Sequence, residues 1–247
     1  MNIIDELLRA EGEITFAVLP TPSYLREGVL ELAREKVRHY KPKIEAEFGI
    51  SLGNVEVKDQ KHWLVDSVSY SANQAILEHA ERMGEIPTEA HRKFYWRNAE
   101  AARLIGGIPF FLYANYISGA FARAANGSIY MPFGYMSRMT DHGFNERMKY
   151  MGRIIMHEIG HCVWDKLKLR KIDKELFGDR VWKEGFCTYV ADVRFANLYP
   201  EEFEGFEMHG VYKRGLKLVE GVVEKHGIGA LRELPRRWKE FDKEFRN

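Results

Sequence analysis

Along this chain the spacing of apolar and polar positions changes several times, and each change marks a new element. "EITFAVL" (Glu13 to Leu19) is a short β-prone run that follows a brief opening helix. "TPSYLREGVLELAREKVRHY" then repeats apolar residues every three or four positions, predicting an amphipathic helix with Ser23 at its N-cap and Pro42 as its kink or end. In "GNVEVKD", Val55 and Val57 alternate with polar neighbours, as a half-buried strand requires. Helical spacing returns from about Ser71 to Met83 and again from Thr88, where Thr88 and Glu89 form a helix start. Asn126-Gly127 reads as a turn, and Ser128 to Met131 as a short strand. The second half reads as helices: Asn145 (an N-cap) to about Lys168, Val181 to Leu198, His209 to His226, and an amphipathic tail. The pattern predicts an α+β fold rich in helix, one domain over 1–247, with two lobes meeting at a cleft.

Two stretches break the regular pattern. Leu104 to Ala122 carries no charge over nineteen residues, long enough to span a bilayer. The "GGIP" breaker at Gly106 to Pro109 and the polar Asn115 and Ser118 favour a buried segment or cleft wall instead. The second stretch is "GRIIMHEIGHCVWDK", Gly152 to Lys166, in which His157 and His161 stand four residues apart, on one face of a helix. Burying two imidazoles among Ile154, Ile155, Ile159 and Val163 costs several kcal/mol unless each finds a partner. Zinc is such a partner, and a catalytic zinc takes three protein ligands and leaves one position open. Glu158 would then lie beside the ion's water as general base. Gly160 would let a second backbone approach. Two core histidines bonded to carbonyls are the blander reading, but that leaves Glu158 unexplained.

The third ligand is sought on another helix. "DRVWKEGFCTYVADVRF" offers Glu184, a carboxylate set among Trp182, Phe186 and Tyr189. Cys187, one turn on, is the rival and would make a His/His/Cys set.

Composition narrows the partners. The 247 residues are 45% hydrophobic and 30% charged, and 37 Lys plus Arg nearly cancel 36 Asp plus Glu. No strong field draws the chain to nucleic acid or anionic lipid. Two cysteines and an acidic start without an export signal point to a reducing, cytoplasmic setting. Scarce Gln (Gln60 and Gln74) beside abundant Glu, Lys and Arg leans toward a thermophile.

"HEIGHCVWDK" followed by "VWKEGFCTYV" resembles the zinc-binding signature of the gluzincin metallopeptidases, nearest to their alanyl-aminopeptidase-like branch. "VYKRGLKLVEGVVEKHG" is similar to that branch's Tyr-x-x-Gly segment. The three phrases occur in family order over about Ile154 to Glu233, near a third of the chain. The resemblance implies a compact, two-lobed zincin-like core, with lobes at 1–165 and 166–247, and one zinc per chain held by His157, His161 and Glu184. It further implies peptide or protein substrates, Glu158 as base, Tyr212 as the oxyanion's hydrogen-bond donor and Gly215 as the family glycine. His209 is the other candidate for the task of Tyr212. By position, Ser128 to Met131 would be either an edge strand above the zinc helix, open to an extended substrate, or an ordinary strand of the sheet.

Departures are equally plain. Twenty-two residues separate His161 from Glu184, an interval longer than the branch usually shows. The Gly-x-Met-Glu-Asn phrase that binds a substrate's free amino group is missing, which argues against removal of single N-terminal residues. A zinc-stabilised, non-catalytic or latent binding protein on the same scaffold, or a hydrolase of some non-peptide amide or ester, would carry the same constellation.

Overall fold

The computed structural model describes residues 23–102, 122–125, 127–133, 141–168, 180–202 and 210–245. The strand expected at Glu13–Leu19, nearly all of the uncharged run 104–122, and His209 lie outside the described residues. The described residues are mostly helical, with one small sheet, an α+β arrangement in the general sense. They pack into two units. One is drawn from Met1–Leu30, Lys58–Asn126 and Tyr130–Thr140, the other from Glu31–Val57, Gly127–Ile129 and Asp141–Asn247. His157 and Glu184 both fall in the second, whereas the sequence reading set them in lobes on either side of position 165. Among the described residues no helix is long and apolar enough to cross a membrane.

Helix α1 spans Ser23–Phe48 and contains Pro42 rather than ending there. Proline removes one i→i−4 hydrogen bond. Buried Ala33, Val37, Tyr40, Ile44 and Phe48 nevertheless continue one apolar stripe through it, and that burial carries the helix on. Strand β1 covers only Val57–Asp59, although the expected alternation holds from Val55, with Val55 and Val57 buried and Glu56 exposed between them.

In the first unit, helix α2 runs Trp63–Met83, starting well before the expected Ser71 because Trp63, Val68 and Ala72 join one apolar cluster with Ala99 and Tyr130. Gly84, at φ 68°, ends it by giving its N–H to the Ala80 carbonyl at 3.0 Å. Helix α3, Glu89–Ala102, starts as expected, the Thr88 hydroxyl accepting from the His91 N–H at 3.3 Å. Strands β2 (Arg123–Ala125) and β3 (Ser128–Met131) complete a three-stranded sheet of order β1-β3-β2. The expected strand Ser128–Met131 is therefore present, but as the central strand and buried throughout, so it offers no free edge to a substrate.

In the second unit, the helix expected from Asn145 to Lys168 is two. Helix α4 covers Asp141–Lys149, with Asn145 inside it rather than capping it, and α5 covers Met151–Leu167. Tyr150 separates them at φ −100°, ψ 18°, after its N–H closes a tight turn on the Arg147 carbonyl. That break strips donors at the head of α5. Glu202, fifty positions away, supplies the acceptors: its Oε1 takes the Gly152 N–H at 3.1 Å and its Oε2 the Arg153 N–H at 2.8 Å.

The expected helix from Val181 to Leu198 is also divided. Helix α6 (Arg180–Tyr189) widens into a π turn at Val190–Arg194, followed by 3-10 turns at Ala196–Leu198 and Pro200–Glu202. Helices α7 (Gly210–His226) and α8 (Ala230–Phe245) close the chain. Phe186 of α6 is the hub of this core, its ring centroid 5.4 Å from Trp164 of α5 and 5.6 Å from Phe48 of α1. One turn earlier on α6, the buried Trp182 gives its indole N–H to Asp242 of α8 at 2.6 Å.

Candidate metal centre

Helix α5 is buried almost all round: Ile155, Met156, Ile159, Val163 and Trp164 are fully enclosed. Its partly open positions before the last turn are Arg153, Ile154, His157 and His161, which at 100° per residue form one narrow stripe. The two imidazoles thus lie at the rim of the apolar packing, with 17% and 12% of their side-chain surface exposed, and not in its middle as the apolar run implied.

Their ring centroids are 5.0 Å apart and the planes nearly perpendicular, at 81°. Helix α6 brings Glu184 to the same point. Its Oε2 lies 3.2 Å from His157 Nε2 and 3.5 Å from His161 Nε2, so one carboxylate oxygen faces both nitrogens. Cys187, one turn further along α6, is fully buried, and its Sγ and one ring nitrogen from each histidine lie within 4.8 Å of one another.

The charges are mutually dependent. Burial works to raise the Glu184 carboxyl, but hydrogen bonds from His157 and His161, with their charge, hold it well below the ordinary carboxylate range. For His157 burial works downward. The hydrogen bond to Glu184 and the charges of Glu158, Glu184 and Asp192 outweigh it and raise the imidazole. Burial pushes the Cys187 thiol well up, and the Glu184 charge adds to it. Glu158 is buried on α5, about 60° around the helix axis from His161.

Three devices fix these side chains. Gly160 lets α6 approach α5: a Cβ there would sit 3.0 Å from Cys187 Cα and 3.3 Å from its Sγ, bearing out the expected close approach. Gly185, next to Glu184, lies against Gly215 of α7 so closely that a Cβ on either would overlap the other helix's backbone. Through that contact Tyr212, three residues before Gly215, reaches the site. Its ring centroid is 5.7 Å from that of His157, edge to face, and 43% of the residue remains exposed. Finally, Arg153, one turn before His157, grips Asp192 on the π turn through two hydrogen bonds of 2.6 and 2.5 Å, both side chains nearly buried. With Glu202 at its head, α5 is tied twice to the segment that follows Glu184.

No protein-family model, curated protein or solved structure matches the chain. The site is therefore read from its own geometry.

Of the expected residues, the structure brings Glu184 against both His157 and His161, groups the rival Cys187 with the same two histidines and sets Tyr212 beside His157. The sequence reading missed Arg153, Asp192 and Glu202. Asp192 left a trace, a carboxylate flanked by the apolar Val190, Ala191 and Val193; Glu202, next to Glu201 after a proline, left none.

Proposed function

We propose that this cluster is a zinc centre of a hydrolase acting on peptide bonds, with His157, His161 and Glu184 as ligands. One observation carries the reading. Ligand atoms about 2.0–2.1 Å from a tetrahedral zinc stand about 3.3 Å from each other, and the two separations that involve Glu184, from its Oε2 to His157 Nε2 and to His161 Nε2, are 3.2 and 3.5 Å. The donor chemistry agrees: two imidazoles and a carboxylate held in its charged form are a borderline set that suits zinc. The partly open stripe on α5 leaves the ion's remaining position reachable from solvent.

Zinc so held supplies Lewis acidity, making a water acidic near neutral pH and polarising a carbonyl. Glu158, buried on α5 next to His157, would serve as the base that holds the proton and hands it to a departing amine, work of about 10²–10⁴ in rate. The hydroxyl of Tyr212, a residue 43% exposed, would donate a hydrogen bond to the oxyanion, a contribution of about 10²–10³. The order of phrases from α5 through α6 to α7 supports reading the second unit as a compact gluzincin-like core. Without a residue phrase to hold a free amino terminus, internal peptide bonds are the better substrates.

The test is Glu158→Gln assayed on quenched peptide libraries, with and without a chelator. The variant keeps one zinc per chain by mass spectrometry and loses at least about 100-fold in cleavage. Undiminished cleavage rules the mechanism out, and zinc without any chelator-sensitive cleavage in the wild type favours a non-catalytic, zinc-stabilised protein.

A further inference from the structure

We propose that Cys187 is a fourth, displaceable ligand of this centre, its thiolate competing with the reacting water for the position that His157, His161 and Glu184 leave open. The inference rests on the reading of the cluster as a metal centre and adds a latent state to it.

Cys187 follows Glu184 by three residues on α6, so both side chains leave the helix on one face. The absence of a side chain at Gly160 lets the thiol lie against α5 at the level of the two histidines, 3.3 Å from where a Cβ would be. Its Sγ and one ring nitrogen of each histidine are already within 4.8 Å of one another. An ion about 2.0–2.1 Å from nitrogen and 2.3 Å from sulfur sets the tetrahedral N···S separation near 3.6 Å, so closure takes a movement of about 1.2 Å at most.

When the ion–sulfur bond forms, the thiol proton goes to solvent and one water is displaced; no oxidant is needed. The result is a four-ligand set, the closed type found in structural zinc sites. When the sulfur leaves the ion, the thiolate would take a proton back from solvent and a water would fill the vacated position. Latency of this kind has a recognisable consequence: removing the thiol raises hydrolysis, whereas removing Glu184 abolishes it.

The decisive measurement is replacement of zinc by cobalt(II) in the full chain, followed by near-ultraviolet absorption for sulfur-to-cobalt charge transfer. Wild type and Cys162→Ala should bind one cobalt and show the band. Cys187→Ala and Cys187→Ser should bind one cobalt without it and cleave peptide several-fold faster. The chain has only two cysteines, so a band in Cys162→Ala assigns the ligand even if the Cys187 variants fail to fold. One cobalt bound with no band in the wild type overturns the Cys187 proposal and leaves the metal centre standing. A band lost in Cys162→Ala also overturns it. No cobalt bound at all overturns both.

Discussion

Among the described residues two pairs of histidines come into ring contact, and one of the two has the makings of a site. His157 and His161 stand on successive turns of α5, almost perpendicular, with their nitrogens meeting one Glu184 oxygen. His79 and His91 come from α2 and α3, with centroids closer, at 4.6 Å, and planes inclined at 43°. There the partner is a phenol, the Tyr95 hydroxyl 2.9 Å from His79 Nδ1. Among the described residues, His157, His161 and Cys187 are the one grouping of three whose ligand atoms all lie within 4.8 Å of one another, and Glu184 faces both of these histidines from α6. Proximity of imidazoles is ordinary packing. A shared focus with an anion delivered from a second helix is what a metal requires.

The sharpest way to break this comparison is a zinc titration by calorimetry. His157→Ala should weaken binding by about 4 kcal/mol, roughly 10³-fold, a third of the 10–16 kcal/mol typical of small zinc domains. His79→Ala should leave affinity unchanged, and an equal loss there would erase the distinction. Next comes the support of each pair. Asp192→Ala leaves Arg153 charged and nearly buried, so urea unfolding should show a loss of about 3 kcal/mol. Tyr95→Phe, beside His79, should cost about 1 kcal/mol or less. Gly215→Ala should destabilise by about 1–3 kcal/mol, since a backbone rather than a flexible side chain must yield. Because it moves Tyr212, it should also lower kcat more than metal affinity.

The smallest effect belongs to the exposed pair of Arg194 and Glu47, joined through two bonds of 2.8 and 2.9 Å. The Arg194 hydrogen bonds hold the Glu47 carboxyl below its ordinary value against a smaller opposing effect of burial. A depressed carboxylate stabilises the fold above its unfolded pKa of about 4.3 and loses that contribution as pH falls through the folded value. Arg194→Ala should cost under about 1 kcal/mol at pH 7 and nothing at pH 2, by thermal melts.

How much of this was legible beforehand differs by element. The His157/His161 face, the Thr88 helix start and the run Ser128–Met131 were readable because local spacing and capping chemistry determine them. The split at Tyr150 and the passage through Pro42 were not, because both depend on distant contacts: Glu202 at the head of α5, and burial of Tyr40, Ile44 and Phe48. Likewise, Glu184 was found from its apolar neighbours, while its anchor through Arg153 and Asp192 joins positions thirty-nine apart and carries no local periodicity.

Glu202 also has a bearing on biosynthesis. The first turn of the histidine-bearing helix is completed by an acceptor made some fifty residues later, so on the ribosome that turn must wait, frayed, until the chain has grown past position 202. A nascent fragment ending near Pro200 would contain His157, His161 and Glu184 and still lack the clasp that sets the helix's starting point. Competence to capture an ion would then arrive abruptly with that last short stretch rather than build up gradually.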